Sequence, residues 1–213
     1  MRGLRKLIAT LAATAFLAAI TTAVASAREF ESSNQNTRIV FRPVILHASN
    51  GDSVSCTITL EGSFHYRTIR KVEAALVGYI TRAIVDTPNC RSGPNTGIRA
   101  VALTETLPWH ITYVDFSGTL PNVTLRFKLN NTSFALLGVP IIGTCRYRAS
   151  PNGIIGGPVG REITEGTRNA TITVEEGASI RSETFSCPAG QFTSGPTPIV
   201  QLGTTTAITV RLI

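Results

Sequence analysis

The sequence predicts an all-β protein: an antiparallel β-sandwich of about 8–12 strands, linked by disulfides and preceded by an N-terminal signal peptide. Apolar and polar residues alternate with a period of two in several segments, Gly and Pro interrupt the chain often, and four cysteines follow a secretory leader. Such alternation is typical of half-buried antiparallel strands. Many short strands separated by frequent turns are typical of a sandwich.

Residues 1–27 have the layout of a secretory signal peptide. A short basic stretch is followed by an apolar run, and Ala25-Ser26-Ala27 is an A-x-A site of the kind that signal peptidase cleaves. The apolar run is too short to cross a hydrocarbon core of about 30 Å comfortably, so we expect cleavage rather than anchoring. The mature chain would begin at Arg28, lack a stable membrane anchor, and be secreted or held at the cell surface.

Residues 28–37 are polar and lack periodicity, which predicts a flexible lead-in to a single domain over 38–213. The clearest strands alternate from Val54 to Leu60, from Val123 to Leu129 and from Ile208 to Leu212. Shorter candidate strands cover 38–46, 97–103, 109–116, 133–138, 141–148, 170–175 and 198–203.

All four cysteines lie in the mature part of the chain, at Cys56, Cys90, Cys145 and Cys187. An even number in an exported chain predicts two disulfides, because the destination is oxidising. Zinc sites usually draw their ligands in close pairs, whereas the intervals here are 34, 55 and 42 residues. We predict the sequential pairing Cys56–Cys90 and Cys145–Cys187, since it closes the shorter loops and loses the least chain entropy.

Two segments leave alternatives open. Apolar residues recur at nearly helical spacing across 67–85, but Gly78 and several β-branched residues disfavour a helix. We therefore predict two strands joined near Ala75, with a helix as the alternative. The stretch 149–168 is rich in Gly and Pro and predicts either a long surface loop or a seam between subdomains.

The segment Trp109–Phe116 is the most conspicuous constellation, because it holds the only tryptophan together with a histidine, a tyrosine and an aspartate. Trp109, Ile111 and Tyr113 share one strand face, which predicts a core strand with a buried Trp109. The alternative is a carbohydrate or small-ligand site on this strand. In that case Trp109, His110 and Tyr113 would contact the ligand.

The chain lacks the short motifs of common enzyme classes, namely G-x-S-x-G, H-E-x-x-H, the P-loop and G-x-G-x-x-G. The histidines, His47, His65 and His110, have no second His or Cys at metal-binding spacing. We therefore expect no cofactor, no metal and no catalysis. An extracellular hydrolase stays the third interpretation, because a triad is assembled in space from distant residues.

Composition limits the partner class. Charged residues form 15% of the chain, against about 25% in an average domain. Beyond the leader, 17 basic and 13 acidic residues leave a net charge of +4, which is weak evidence for an acidic partner. Stacking aromatics are not interleaved with the basic residues as nucleic-acid binders need, so we expect no nucleic-acid partner.

Several segments carry a resemblance to other exported proteins: Cys56–Phe64, Thr106–Tyr113, Ser117–Asn122, and Cys145 with the closing Gly203–Thr206. In these segments the chain resembles uncharacterised exported β-rich proteins of GC-rich actinobacteria. The resemblance implies a secreted bacterial β protein and implies no activity. The leading interpretation is a non-catalytic structural or binding protein, secreted or at the cell surface, whose ligand is unknown. A cell-wall glycan and another surface protein are the candidate partners.

Overall fold

The structure is a computed structural model that describes residues 29–93, 97–119, 122–149, 154–157, 159–160, 168–174 and 178–213. The predicted signal peptide, residues 1–27, lies outside these residues, as does most of the predicted loop or seam at 149–168. The described part contains nineteen strands and two 3-10 turns, Thr87–Asn89 and Thr104–Thr106. The strands are β1 (Glu29–Ser32), β2 (Asn36–Ala48), β3 (Ser53–Phe64), β4 (Thr68–Arg70), β5 (Leu76–Val85), β6 (Arg91–Ser92), β7 (Arg99–Ala102), β8 (Trp109–Thr119), β9 (Asn122–Asn130), β10 (Ser133–Val139), β11 (Gly143–Ala149), β12 (Ile154–Gly157), β13 (Val159–Gly160), β14 (Arg168–Asn169), β15 (Thr171–Val174), β16 (Ala178–Ser182), β17 (Gly190–Ser194), β18 (Thr197–Gln201) and β19 (Thr209–Leu212).

The predicted fold class, all-β with antiparallel strands and two disulfides, is confirmed. The described residues hold more strands than predicted because many are only two to five residues long. Among these residues, no helix combines the length and the apolar content needed to cross a bilayer.

Eight strands pair in a closed order. Around the ring, the order is β2, β3, β5, β8, β9, β12, β15, β18 and back to β2. Every pairing is antiparallel, and alternate residues of each strand face the interior. An eight-stranded ring encloses a space that side chains just fill or that holds one small ligand.

A second layer packs against the ring and shares β2 with it. β2 pairs with β18 through Thr37–Ile39 and with β17 through Val44–Ala48. The change of partner occurs at Pro43, where the β2–β3 register also shifts, since proline has no N–H to donate to the ladder. From β17 the second layer continues through β16, β11, β10 and β7.

Both disulfides have the predicted pairing. Cys56 in β3 is bonded to Cys90, which directly precedes β6, with a Cα–Cα distance of 4.3 Å. Cys145 in β11 is bonded to Cys187 in the loop after β16, with a Cα–Cα distance of 5.8 Å. The four cysteines are therefore structural and belong to no zinc site.

The expectation of a flexible lead-in at 28–37 was wrong for the residues that the structure describes. Residues Glu29–Ser32 form β1, which pairs with β19 and β4 in a small third sheet. Phe30 is fully buried against Ile69, Val77 and Tyr113. The sequence of this segment does not indicate a strand, because β1 is stabilised by pairing with β4 and β19, which lie far away in the sequence.

Residues 67–85 form two strands, β4 and β5, as predicted, and the helical alternative is excluded. The two strands do not pair with each other. β4 pairs with β1 in the small sheet, whereas β5 pairs with β3 and β8 in the ring. The apparent helical spacing has no structural meaning, since Val72 and Leu76 are exposed whereas Ile69 and Ile80 are buried.

The register between β3 and β5 leaves no room for a side chain at Gly62. A Cβ atom at this position would lie 2.1 Å from the carbonyl oxygen of Tyr79, so the two strands would have to separate. Gly62→Ala is therefore expected to lower the free energy of unfolding by about 1–3 kcal/mol, measured by urea denaturation. Gly195→Ala is the matched control, because a Cβ there meets no atom within 4 Å. Equal stability of the two variants would contradict this register.

Candidate functional site

Trp109 begins β8 directly after Pro108, and its ring points into the strand ring. The side chain is 0% exposed, which confirms the predicted burial. Its ring meets the edge of Phe134 from the second layer, with centroids 5.3 Å apart. The indole Nε1 donates a hydrogen bond of 2.8 Å to the Thr106 hydroxyl. The indole can be buried in the core because its N–H keeps a hydrogen-bond partner there.

A cavity of about 100 Å³ lies inside the ring, next to Trp109. The lining side chains come from seven ring strands, namely β2, β3, β5, β8, β9, β15 and β18, and from β10, β17 and Thr132 beside them. The lining residues are Thr37, Ile39, Phe41, Val44, Ile58, Leu60, Phe64, Ile80, Trp109, Ile111, Phe127, Lys128, Leu129, Thr132, Phe134, Ile172, Phe192 and Ile199.

The cavity wall is apolar in its chemistry as well as in its composition. The Thr37 hydroxyl donates to the Gly62 carbonyl, and the Thr132 hydroxyl donates to the Leu129 carbonyl, both at 3.4 Å. Lys128 is partly exposed to solvent. Among the described buried side-chain N and O atoms, only Arg38 Nε lacks a hydrogen bond, and Arg38 does not line the cavity. The interior therefore favours an apolar ligand, because water or a polar ligand would find no buried side-chain hydrogen-bonding group free in the described part of the wall.

The other two predicted ligand-contacting residues do not reach this cavity. Tyr113 is buried in the second apolar cluster, under the small sheet, with its ring 6.4 Å from that of Phe127. Burial raises the pKa of the Tyr113 phenol, and the negative charge of Asp115 raises it further. His110 lies on the outer face of the ring, where its ring meets the edge of Tyr79. Of the three residues, only Trp109 lines this cavity, whereas Tyr113 belongs to the second apolar cluster and His110 to the outer face.

Asp115 is engaged in an ion pair instead of being available as a base. It lies opposite Arg126 in the β8–β9 ladder, and the Arg126 Nε donates to its carboxylate at 2.6 Å. Hydrogen bonding from Arg126 lowers the pKa of the Asp115 carboxyl, with a smaller contribution from the positive charge itself. The pair lies next to the β-bulge between Tyr113 and Asp115, which re-aims the polar side chains of this strand.

Among the described residues, none of the three histidines is bonded to a carboxylate. His65 and His110 both contact the Tyr79 ring, with centroids 4.9 and 5.2 Å away. His47 is exposed and lies 3.4 Å from the Thr193 hydroxyl, but no carboxylate of the described residues bonds to it. The described residues also contain no cluster of three or more His, Cys, Asp or Glu side chains that could hold a metal ion.

A second feature, which sequence reasoning missed, lies on the outer face of the ring. Four rings follow one another as Tyr66, His65, Tyr79 and His110, and Tyr66 borders a groove between β4 and the start of β5. We call this set the outer aromatic row. His65 and Tyr66 are neighbours in the chain, but the β3–β5 pairing brings His65 to Tyr79 and the β5–β8 pairing brings Tyr79 to His110. No local sequence signal could therefore have identified the whole row.

Comparison of the chain with family models, with curated proteins and with solved structures finds no match.

Proposed function

We propose that this protein is exported and acts outside the cytoplasm as a non-catalytic binding protein that holds a small apolar ligand inside the strand ring. The observation that carries the proposal is the apolar cavity of about 100 Å³ beside Trp109. Export is supported by the leader at residues 1–27 and by the two disulfides, which persist in oxidising compartments. The resemblance to exported actinobacterial proteins is part of the same proposal.

A binding role is favoured because the interior holds an apolar space that is bounded by the paired strands of the ring. The ring has no free edge between its strands, and the Cys56–Cys90 disulfide anchors β3 of the ring to the segment before β6. Well-packed protein cores leave few voids larger than a water molecule. The volume of about 100 Å³ is below the range of about 300–1,000 Å³ that is usual for drug-sized ligands, so the cavity suits only a very small ligand.

The size of the cavity limits the ligand. An engineered apolar cavity of about 150 Å³ binds benzene or xenon and stays dry when empty. The present volume of about 100 Å³ suits a ligand of a few heavy atoms or the end of a short aliphatic chain. With its polar groups already bonded, the wall selects by size and shape and not by hydrogen bonding.

The test uses Trp109 as the reporter, since it is the only tryptophan. Bromoethane, whose bromine quenches an indole that it touches, should quench Trp109 fluorescence and saturate. Ile80→Phe places a larger side chain at the cavity wall and should abolish saturable quenching without loss of stability. Ile84→Phe is the matched control on the same strand, because Ile84 is exposed and does not line the cavity.

Two results would contradict the proposal. One is quenching that rises linearly with bromoethane and is the same in the wild type and in Ile80→Phe. The other is a loss of about 1–3 kcal/mol in Ile80→Phe, which is the range for overpacking a core that is already full.

A further inference from the structure

The outer aromatic row ends in a residue that is available to a ligand. Its ring centroids are 6.5 Å apart for Tyr66 and His65, 4.9 Å for His65 and Tyr79, and 5.2 Å for Tyr79 and His110. Contacts within the row support the rings in place. Tyr66 at its end is 73% exposed, although tyrosine is a residue that usually packs one face against apolar atoms.

Tyr66 also lines a groove of about 700 Å³ between β4 and the start of β5. This volume lies within the range of about 300–1,000 Å³ that is usual for small-molecule sites. Val72 and Leu76, the other large exposed apolar side chains nearby, are 54% and 38% exposed and line the same groove. One wall of the groove is therefore apolar and open to solvent.

Two arginines line the groove, and one of them is held in place without an ion pair to any carboxylate of the described residues. Glu29 and Arg70 neutralise each other through an ion pair of 3.3 Å. Arg67 is fixed by a hydrogen bond of 3.1 Å from its Nε to the Ser32 carbonyl. Among the described residues, no carboxylate lies within ion-pair distance of Arg67. The groove is thus lined both by a positioned guanidinium and by the exposed ring of Tyr66.

We infer that this groove binds a sugar that carries an acidic group. A pyranose has one face of C–H groups, which packs against an exposed tyrosine ring, and an outer rim of hydroxyls. Its carboxylate or phosphate is the natural partner of a guanidinium, which donates two parallel hydrogen bonds to either group. A neutral apolar ligand would leave Arg67 unused, and a simple anion would leave Tyr66, Val72 and Leu76 uncovered. The site is separate from the cavity inside the ring.

Isothermal titration calorimetry with four probes tests the inference: trigalacturonic acid, glucose 6-phosphate, maltotriose and inorganic phosphate. We expect an acidic sugar to bind at least about tenfold more tightly than maltotriose or inorganic phosphate. The first two probes decide whether the acidic group is a carboxylate or a phosphate. Tyr66→Ala and Arg67→Met should each weaken this binding by about tenfold or more, whereas Arg67→Lys, which keeps the charge, should weaken it less than Arg67→Met.

Phe185→Ala serves as the control, because Phe185 is fully exposed and does not line the groove; its affinity should equal that of the wild type. Thermal melting shows that each variant is folded. Equal affinity for maltotriose, full affinity in both Tyr66→Ala and Arg67→Met, or no binding of either acidic sugar at millimolar concentration would overturn the inference. Bromoethane quenching of Trp109 should be unchanged in Tyr66→Ala, which separates this site from the interior cavity.

Discussion

Replacing Trp109 by alanine is expected to lower the free energy of unfolding by about 3–5 kcal/mol. The ring is fully buried at the junction of the two layers, where it contacts Phe134 and borders the interior cavity. Truncation enlarges a cavity that is already present, and the structure around such a space relaxes only partly. The Thr106 hydroxyl also loses the indole as its donor. Circular dichroism during urea denaturation measures the effect, since the variant has no tryptophan.

Tyr66→Ala provides the comparison for this prediction. It removes another large aromatic ring, but one that is 73% exposed, so the loss should stay within about 0.5 kcal/mol. If Trp109→Ala were as stable as Tyr66→Ala, the placement of Trp109 at the centre of the core would be refuted.

Removal of the Cys145–Cys187 disulfide is expected to lower the free energy of unfolding by about 4 kcal/mol. The bond closes a loop with a sequence separation of 42 residues, and its loss restores the chain entropy of the unfolded state. The double variant Cys145→Ala/Cys187→Ala tests this by urea denaturation. The Cys56–Cys90 bond, with a separation of 34 residues, should contribute nearly as much, because the loop entropy depends only weakly on length.

Two neighbouring residues supply the matched control for the disulfide. Thr144→Ala/Ser186→Ala changes two exposed positions directly beside Cys145 and Cys187 and should leave stability within about 0.5 kcal/mol of the wild type. Reduction of the wild type breaks both disulfides, so it should lower the free energy of unfolding by at least as much as the double variant Cys145→Ala/Cys187→Ala does. Equal stability of the disulfide variant and its control would mean that the bond does not constrain the fold.

The strands that could be predicted from the sequence are those whose own alternation shows which face is buried. Val54, Cys56, Ile58 and Leu60 alternate with polar residues, and the structure buries all four. The disulfide pairing was also predictable, since loop closure favours the bridges between neighbouring cysteines. The alternation is local in the chain, and the disulfide pairing follows from the order of the cysteines along it.

Features that depend on distant pairing could not be predicted. β1 pairs with β4 and with β19, and nothing within 28–37 signals either partner. The closure of the ring depends on the pairing of β2 with β18 at the other end of the chain. The cavity and the outer aromatic row both follow from this long-range pairing, so the candidate sites emerge only from the folded structure.

The same contrast between local pattern and distant pairing applies to Trp109 and Tyr113, which both lie on β8. The alternation of Trp109, Ile111 and Tyr113 predicted a buried face, and burial of Trp109 is confirmed. The sequence could not show that Trp109 and Tyr113 would belong to different apolar clusters, because the small sheet that covers Tyr113 is assembled from both ends of the described chain.

The binding role of the ring interior is tested most directly by a crystal structure determined under xenon pressure. Xenon is apolar, makes no hydrogen bonds, and occupies dry cavities of this kind. We expect a xenon atom inside the ring, in van der Waals contact with Trp109 and Phe134, and no xenon at that position in Ile80→Phe. An interior without xenon, with the lining side chains packed together across the present cavity, would contradict the proposed function.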